Sequence, residues 1–205
     1  MREQFIKALK TRQNSFSLSL RDVQIERLAN YFDLVQQQNE FLNLVAPMTG
    51  EEFAIRHVLE SLTLLEHLPL KTVIADVGTG AGLPSIPSLI VREGLRGLLI
   101  ESKEKKVKFL TAAVESLKLE KKVTIVNRQF EETDPGNCEF VTCRALDKFT
   151  AKLPRLLKWA RPRGLLLFGG NSLRDGLHAQ RVEFTEKLMP LSEQRFLFVV
   201  TSRSS

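Results

Sequence analysis

Residues 76–84 read DVGTGAGLP and set Gly78, Gly80, Gly82 and Pro84 close together, directly after a short apolar run. A strand that ends in so bare a turn and passes into a helix lets backbone N–H groups approach a ligand closely. ATP, dinucleotides and S-adenosylmethionine all use turns of this kind. A phosphate loop needs Lys-Ser or Lys-Thr after its last glycine, and here Leu83, Pro84 and Ser85 follow, which removes ATP through that motif. The dinucleotide fingerprint spaces its glycines G-x-G-x-x-G, whereas these read G-x-G-x-G. Asp76, just ahead of Gly78, sets a carboxylate at the strand end. That charge tolerates a cationic methionine donor better than a pyrophosphate.

The next two apolar runs carry matching signals. Glu101 ends GLLIE, where an acid can accept both ribose hydroxyls of a nucleoside, in NAD and S-adenosylmethionine sites alike. After VTIV come Phe130 and Glu131, the aromatic ring suited to an adenine face and the acid or its backbone to the adenine amino group. Falling at three consecutive strand ends, these residues point to S-adenosylmethionine and a methyltransferase.

Farther out, TVIAD, GLLIE, KVTIV, EFVTC and GLLLF are short β-rich runs, and helical patterns at 84–93, 103–119 and 149–160 separate them. Alternation of this kind predicts a parallel sheet covered on both faces, with ligands beyond the carboxyl ends of its strands. RVEFTEKLMPLSEQRFLFVVTSR predicts an antiparallel pair at the sheet edge. Residues 1–70 read as helices. A capping box at Ser19 and Asp22 precedes Ile25, Leu28, Phe32 and Val35, a second at Thr49 and Glu52 precedes Phe53, Leu62 and Leu65, and Pro47 breaks the helix between. The expected fold is therefore α/β, a doubly wound, Rossmann-like methyltransferase sheet over 71–205 with an N-terminal helical segment over 1–70 packed on its core.

A chain of 205 residues with 43% hydrophobic content supports one sizeable core, and its net charge of +6 leans towards an anionic partner such as RNA. Cys138 and Cys143 have no companion pair, which excludes a disulfide framework and a structural zinc site, so no metal is expected. The N-terminus MREQFIKALK lacks the apolar core of a signal peptide, no stretch is long and apolar enough to span a membrane, and TSRSS reads as a short polar tail. These features predict a cytoplasmic protein without a membrane, and a monomer. Lys103, Lys105, Lys106 and Lys108 on one helix, with Arg155, Lys158, Arg161 and Arg163 at another, offer an RNA surface.

The fourth strand end carries TCRALDKF rather than the Asn/Asp-Pro-Pro-aromatic motif of enzymes that methylate exocyclic base amines. Cys143 there raises the idea of a thiolate nucleophile, although small buried cysteines are common. Taken in order, NLVAP, HVLES, DVGTGAGLPSIP, IESKEKKVKFL, RQFEE and CRA resemble the RsmG/GidB family of bacterial 16S ribosomal RNA (guanine-N7)-methyltransferases over about residues 40–170. The resemblance implies a methyltransferase fold behind a helical segment, S-adenosylmethionine as cofactor, and ribosomal RNA or an assembling small subunit as partner. It implies cofactor contacts at Gly78, Leu83, Phe130, Glu131 and Arg144, with His57 and Arg144 towards the substrate, beside the cofactor contacts at Asp76, Gly80 and Glu101 that the residues themselves suggest. Guanine N7 presents a free lone pair, so no catalytic base is expected. The chain departs from the family pattern at Ser85 (usually glycine), Glu60 (aspartate), Cys143 (serine) and Gly169 (lysine), and the family arginine near the adenine pair aligns with Arg128 or Gln129. Gly169 and Ser85 leave open a methyltransferase of another RNA or small molecule, or an RNA-interaction protein that binds cofactor without activity.

Overall fold

The computed structural model describes residues 1–144 and 149–200; 145–148 and the TSRSS end lie outside the described residues. The chain opens with α1 (Arg2–Arg12) and α2 (Asp22–Leu42), then a helical run over 50–67. That run joins α3 (Gly50–Phe53), a π-helical segment (Ala54–Leu59), α4 (Glu60–Leu62) and a tight 3₁₀ turn (Thr63–His67). The Thr49–Glu52 box caps it, with the Glu52 N–H donating to Thr49 Oγ1 at 3.2 Å and the Thr49 N–H to Glu52 Oε2 at 2.8 Å. At α2 the expected Ser19–Asp22 box gives way to another: the helix begins at Asp22, and Gln24 reaches back to accept the Arg21 N–H at 2.8 Å. Asn43 in the left-handed region ends α2, ahead of Pro47.

The strands are β1 (Thr72–Val77), β2 (Leu95–Ile100), β3 (Val123–Val126), β4 (Phe140–Arg144), β5 (Gly164–Gly169), β6 (Thr185–Leu188) and β7 (Phe196–Val200). They form one sheet in the order β3-β2-β1-β4-β5-β7-β6. The first five run parallel, and β7 lies antiparallel between β5 and β6. Crossover helices are α5 (Ser85–Val91), α6 (Glu104–Ser116) and α7 (Phe149–Ala160). The helix α8 (Asn171–Ala179) was not foreseen, because Gly176 sits inside it. A Cβ on Gly176 would lie 3.1 Å from Leu153 Cδ2, so the glycine lets α8 pack closely on α7.

Alternating strand residues serve opposite faces. Leu166 and Phe168 join Ile74, Leu99 and the helices α1, α2, α5 and α6 on one face, while Leu165 and Leu167 join Val77, Val141, α7 and α8 on the other. The N-terminal helices thus share their core with the sheet. The strand order reverses between β1 and β4, and the crevice beyond their carboxyl ends is where such a sheet binds ligands.

Candidate active site

The glycine turn springs from the end of β1. Gly78, Gly80 and Gly82 have φ of 67°, 59° and 90°, a region that side chains with a Cβ avoid. At Gly82 space is closed as well, since a Cβ would lie 2.3 Å from Ile86 Cδ1. Gly80 is open on its outer side, where Lys106 Nζ is 3.9 Å from a Cβ position. Backbone bonds pin the turn: the Gly82 and Leu83 N–H groups donate to the Thr79 carbonyl at 2.8 and 3.0 Å, and that of Gly78 to Ile100 at 2.9 Å.

Asp76 lies beneath the turn, fully buried, with Thr79 Oγ1 donating to its Oδ2 at 2.7 Å. Burial pushes its carboxyl up to about 7; the dipoles of Thr79 and Ser85 offset part of the rise, and the Glu101 charge adds to it. Glu101 accepts the Gly80 N–H at 3.1 Å and the Lys103 N–H at 2.8 Å, tying the turn to the start of α6. Glu131 Oε2 is buried without a hydrogen-bond partner among the described residues, whereas Asp76 Oδ1 and Ser85 Oγ, both buried, face each other. Leu83 is buried beside them. Phe130 is placed differently from the expectation: its ring is buried in the core, edge-on to Trp159 at 5.7 Å, so the backbone of this segment and the Glu131 side chain remain for a ligand.

Across the crevice, Arg144 ends β4 inside a network drawn from the helical run. Its guanidinium donates to Glu60 Oε2 at 3.2 Å, to the Arg56 carbonyl and, at 3.4 Å, to Ser61 Oγ, and it approaches His57 Nδ1 at 3.5 Å. Its positive charge also rests over the Phe168 ring, 5.4 Å from the centroid. Glu60, 1% exposed, accepts a second arginine, Arg195 Nε, through Oε1 at 2.7 Å. Because a guanidinium only donates, His57 Nδ1 must accept and the ring proton sits on Nε2, which has no partner among the described residues. Burial, followed by the charges of Arg144, Arg56 and Arg195, pushes His57 down to about 3, so the ring is neutral. The structure brings Arg144 and His57 together, and most donors of Arg144 are engaged within the protein.

Sequence reasoning missed Tyr31 and Arg195. An acid at Glu60 within the apolar pattern VLESLTLL signals a paired buried carboxylate; nothing local marks Arg195 as its partner. Cys143 is fully buried in the sheet, which takes it away from the nucleophile role. The two basic clusters separate. Lys103, Lys105, Lys106 and Lys108 begin α6 beside the turn, although Lys108 pairs with Glu104 at 2.8 Å. Arg161 and Arg163 lie at the opposite, amino end of β5, where Arg163 binds the Cys138 and Gly136 carbonyls at 2.7 and 2.6 Å. At Gly169 a Cβ would lie 2.6 Å from Leu173 Cδ2, so α8 occupies the space a side chain would need.

A mainly parallel sheet with this order, closed by an antiparallel β7, and a glycine turn at its switch point define the Rossmann-like methyltransferase fold. Solved structures agree. The magnesium protoporphyrin IX methyltransferase of Synechocystis, solved with bound SAM, superposes with a TM-score of 0.61 at 19% identity, covering 90% of this chain and 99% of that one. An RNA methyltransferase of Salinibacter ruber in complex with S-adenosyl-L-homocysteine gives 0.57 at 17% identity, over 72% and 91%. The sequence narrows the class: residues 24–198 match the GidB family, described as rRNA small subunit methyltransferase G. The ribosomal RNA small subunit methyltransferase G of Sorangium cellulosum is 34% identical over 86% of this chain and 74% of that protein. The same-named protein of Pelotomaculum thermopropionicum is 37% identical over 75% of this chain, which spans 65% of that relative's length. The chain belongs to this family.

Proposed function

We propose that this chain transfers a methyl group from S-adenosylmethionine to N7 of a guanine in small-subunit (16S) ribosomal RNA, acting as a cytoplasmic monomer on the RNA or an assembling subunit. The observation that carries the reading is the glycine turn at the β1/β4 switch, bordered by the buried Asp76 carboxyl and by Glu131 Oε2, which has no partner among the described residues. Those oxygens fit the donor: a buried carboxylate suits its cationic methionine part, and a second acceptor suits an adenine amino group. Asp76, Gly78, Gly80 and Leu83 would hold the methionine part, Glu101 the ribose hydroxyls, and Glu131 with the Phe130 backbone the adenine. When bound, S-adenosylmethionine supplies a methyl group on a positively charged sulfur.

The protein's own contribution is mainly orientation. N7 attacks with an unprotonated lone pair, so no side chain has to remove a proton, and holding the base in line is the dominant effect. Arg144, fixed by Glu60, gives a constant positive field at the end of β4 for guanine O6 or a nearby phosphate. His57 adds a neutral Nε2–H donor beside it. Lys103, Lys105 and Lys106 serve the RNA backbone at the same end of the sheet.

Titration calorimetry with S-adenosylmethionine and NAD, combined with mapping of N7-methylguanine in ribosomal RNA of a strain lacking the gene, tests this reading. Binding of the former alone, and methylation restored by the wild-type chain but not by Asp76→Asn, are expected. No heat with S-adenosylmethionine overturns the cofactor assignment. Binding with unchanged ribosomal methylation overturns the substrate, and favours a methyltransferase of another RNA or small molecule.

A further inference from the structure

The glycine turn has a second support, from the N-terminal helices. Tyr31 on α2 is wholly buried, and its hydroxyl donates to the Ala81 carbonyl at 2.8 Å. Ala81 lies between two glycines of positive φ, Gly80 and Gly82, and is itself buried, so its carbonyl has no access to bulk water. The same peptide plane carries the Gly82 N–H, which donates to Thr79 at 2.8 Å. A planar peptide held at both ends cannot rotate. The helix bearing Tyr31 is anchored in turn: Gln24 donates to the Val91 carbonyl at the end of α5 at 2.9 Å, and Arg27 to the Leu117 carbonyl after α6 at 2.8 Å.

From this geometry we infer that Tyr31 is a positioning residue for the cofactor, fixing the turn that receives it through the Ala81 carbonyl. The inference rests on the cofactor reading above. Among the described residues, side chains reach the backbone of the turn's tip at two points, Glu101 at the Gly80 N–H and Tyr31 at the Ala81 carbonyl. If Glu101 turns its carboxylate to ribose hydroxyls, its hold on Gly80 weakens, and the shape of the turn then depends more on Tyr31. The Tyr31 bond therefore matters more with ligand bound than without, and only such a differential contact changes affinity. Desolvation, with the Asp76 charge, keeps the phenol protonated, so it remains a donor across the working pH range. Cofactor affinity is in this way built partly from a helix outside the methyltransferase sheet.

Tyr31→Phe keeps the ring and removes the hydroxyl. Titration calorimetry should show S-adenosylmethionine and S-adenosylhomocysteine binding about three- to fivefold more weakly, the part of one buried hydrogen bond that differs between the free and the bound turn. Steady-state kinetics should show KM for S-adenosylmethionine rising by a similar factor with kcat within about twofold at saturation. Phe53→Leu serves as the control, since Phe53 packs against Tyr31 at 6.3 Å but leaves the Ala81 bond intact. It should lower the melting temperature and leave affinity unchanged. Gln24→Ala, which loosens the helix without touching Tyr31, should weaken binding about two- to threefold and keeps the inference testable if Tyr31→Phe does not fold. Unchanged affinity in Tyr31→Phe, or an equal loss in Phe53→Leu, overturns the inference. A wild-type chain that binds no S-adenosylmethionine overturns the cofactor reading instead.

Discussion

Asp76 and Glu101 lie at or just beyond the ends of β1 and β2, and Glu131 follows β3 within a few residues, each set by the strand beside it. Arg144 also sits at a strand end, yet what holds it comes from elsewhere: Glu60 from the helical run, which in turn binds Arg195 from the last hairpin. The first half of the crevice is built of backbone turns and acids tied to them by local bonds, with Glu131 Oε2 left without a donor among the described residues. The second is a closed set of charges that satisfy one another. The acidic half is thus arranged to receive a ligand's cation and hydroxyls, whereas the basic half presents a field with few open donors.

The sharpest way to break the second half is Glu60→Ala. Two guanidinium groups would lose their shared buried carboxylate, and breaking such a set typically costs about 3–5 kcal/mol. Denaturant unfolding should show that loss, with methylation of RNA falling below detection while residual cofactor binding, measured on the folded fraction, stays within about threefold of wild type. A parallel collapse of cofactor affinity would show that the two halves are one unit.

Gly82→Ala strikes the first half. A φ of 90° is strained for alanine, and its Cβ would stand 2.3 Å from Ile86 Cδ1. Strain and displacement together are expected to cost about 2–4 kcal/mol of stability. Cofactor binding should be lost by calorimetry, because the turn has to reshape.

The halves also differ in their response to pH. Asp76 has its folded carboxyl raised to about 7 from the ordinary 3.8 of a free aspartate, so between those values the folded state binds more protons than the unfolded one. Stability therefore falls as pH rises through that window and levels off above about 7, a span of about 2–4 kcal/mol. Asp76→Asn should flatten that slope in denaturant titrations at pH 5 and pH 8, while weakening S-adenosylmethionine by about tenfold at pH 8. His57 acts with opposite sign. Its folded value of about 3 lies below the ordinary 6.5 of a free histidine, so its contribution is complete above 6.5 and is lost as pH falls towards 3.

What could be read from sequence follows the same division. Turn chemistry and strand ends are local, so Asp76, Gly80, Glu101 and the five parallel strands were legible from residues close in sequence. Arg195 was not, because its partner Glu60 is 135 residues away and only the antiparallel insertion of β7 beside β5 brings them together. Tyr31 was hidden for another reason: at helical spacing an aromatic reads as core, and its hydroxyl's acceptor is a backbone carbonyl that no side-chain pattern reveals. α8 was masked by Gly176, whose small size serves the contact with α7.

Phe130 gives the smallest and most discriminating test of the comparison. By sequence it belonged to the ligand half, as a surface for adenine; by structure its ring packs on Trp159, whose indole N–H donates to the Thr133 carbonyl at 2.9 Å. The ring therefore holds the short turn over Phe130–Glu132 against α7 and acts on a ligand only through the backbone and Glu131. Phe130→Leu should lower stability by about 1 kcal/mol, as a tolerated apolar exchange in a core. Its affinity for S-adenosylmethionine should stay within about twofold, whereas stacking on adenine would be worth about 1–3 kcal/mol by the same kind of truncation. Glu131→Gln, which retains an acceptor oxygen but loses the charge, should weaken binding more than Phe130→Leu does. The reverse order in calorimetry would return the ring to the ligand.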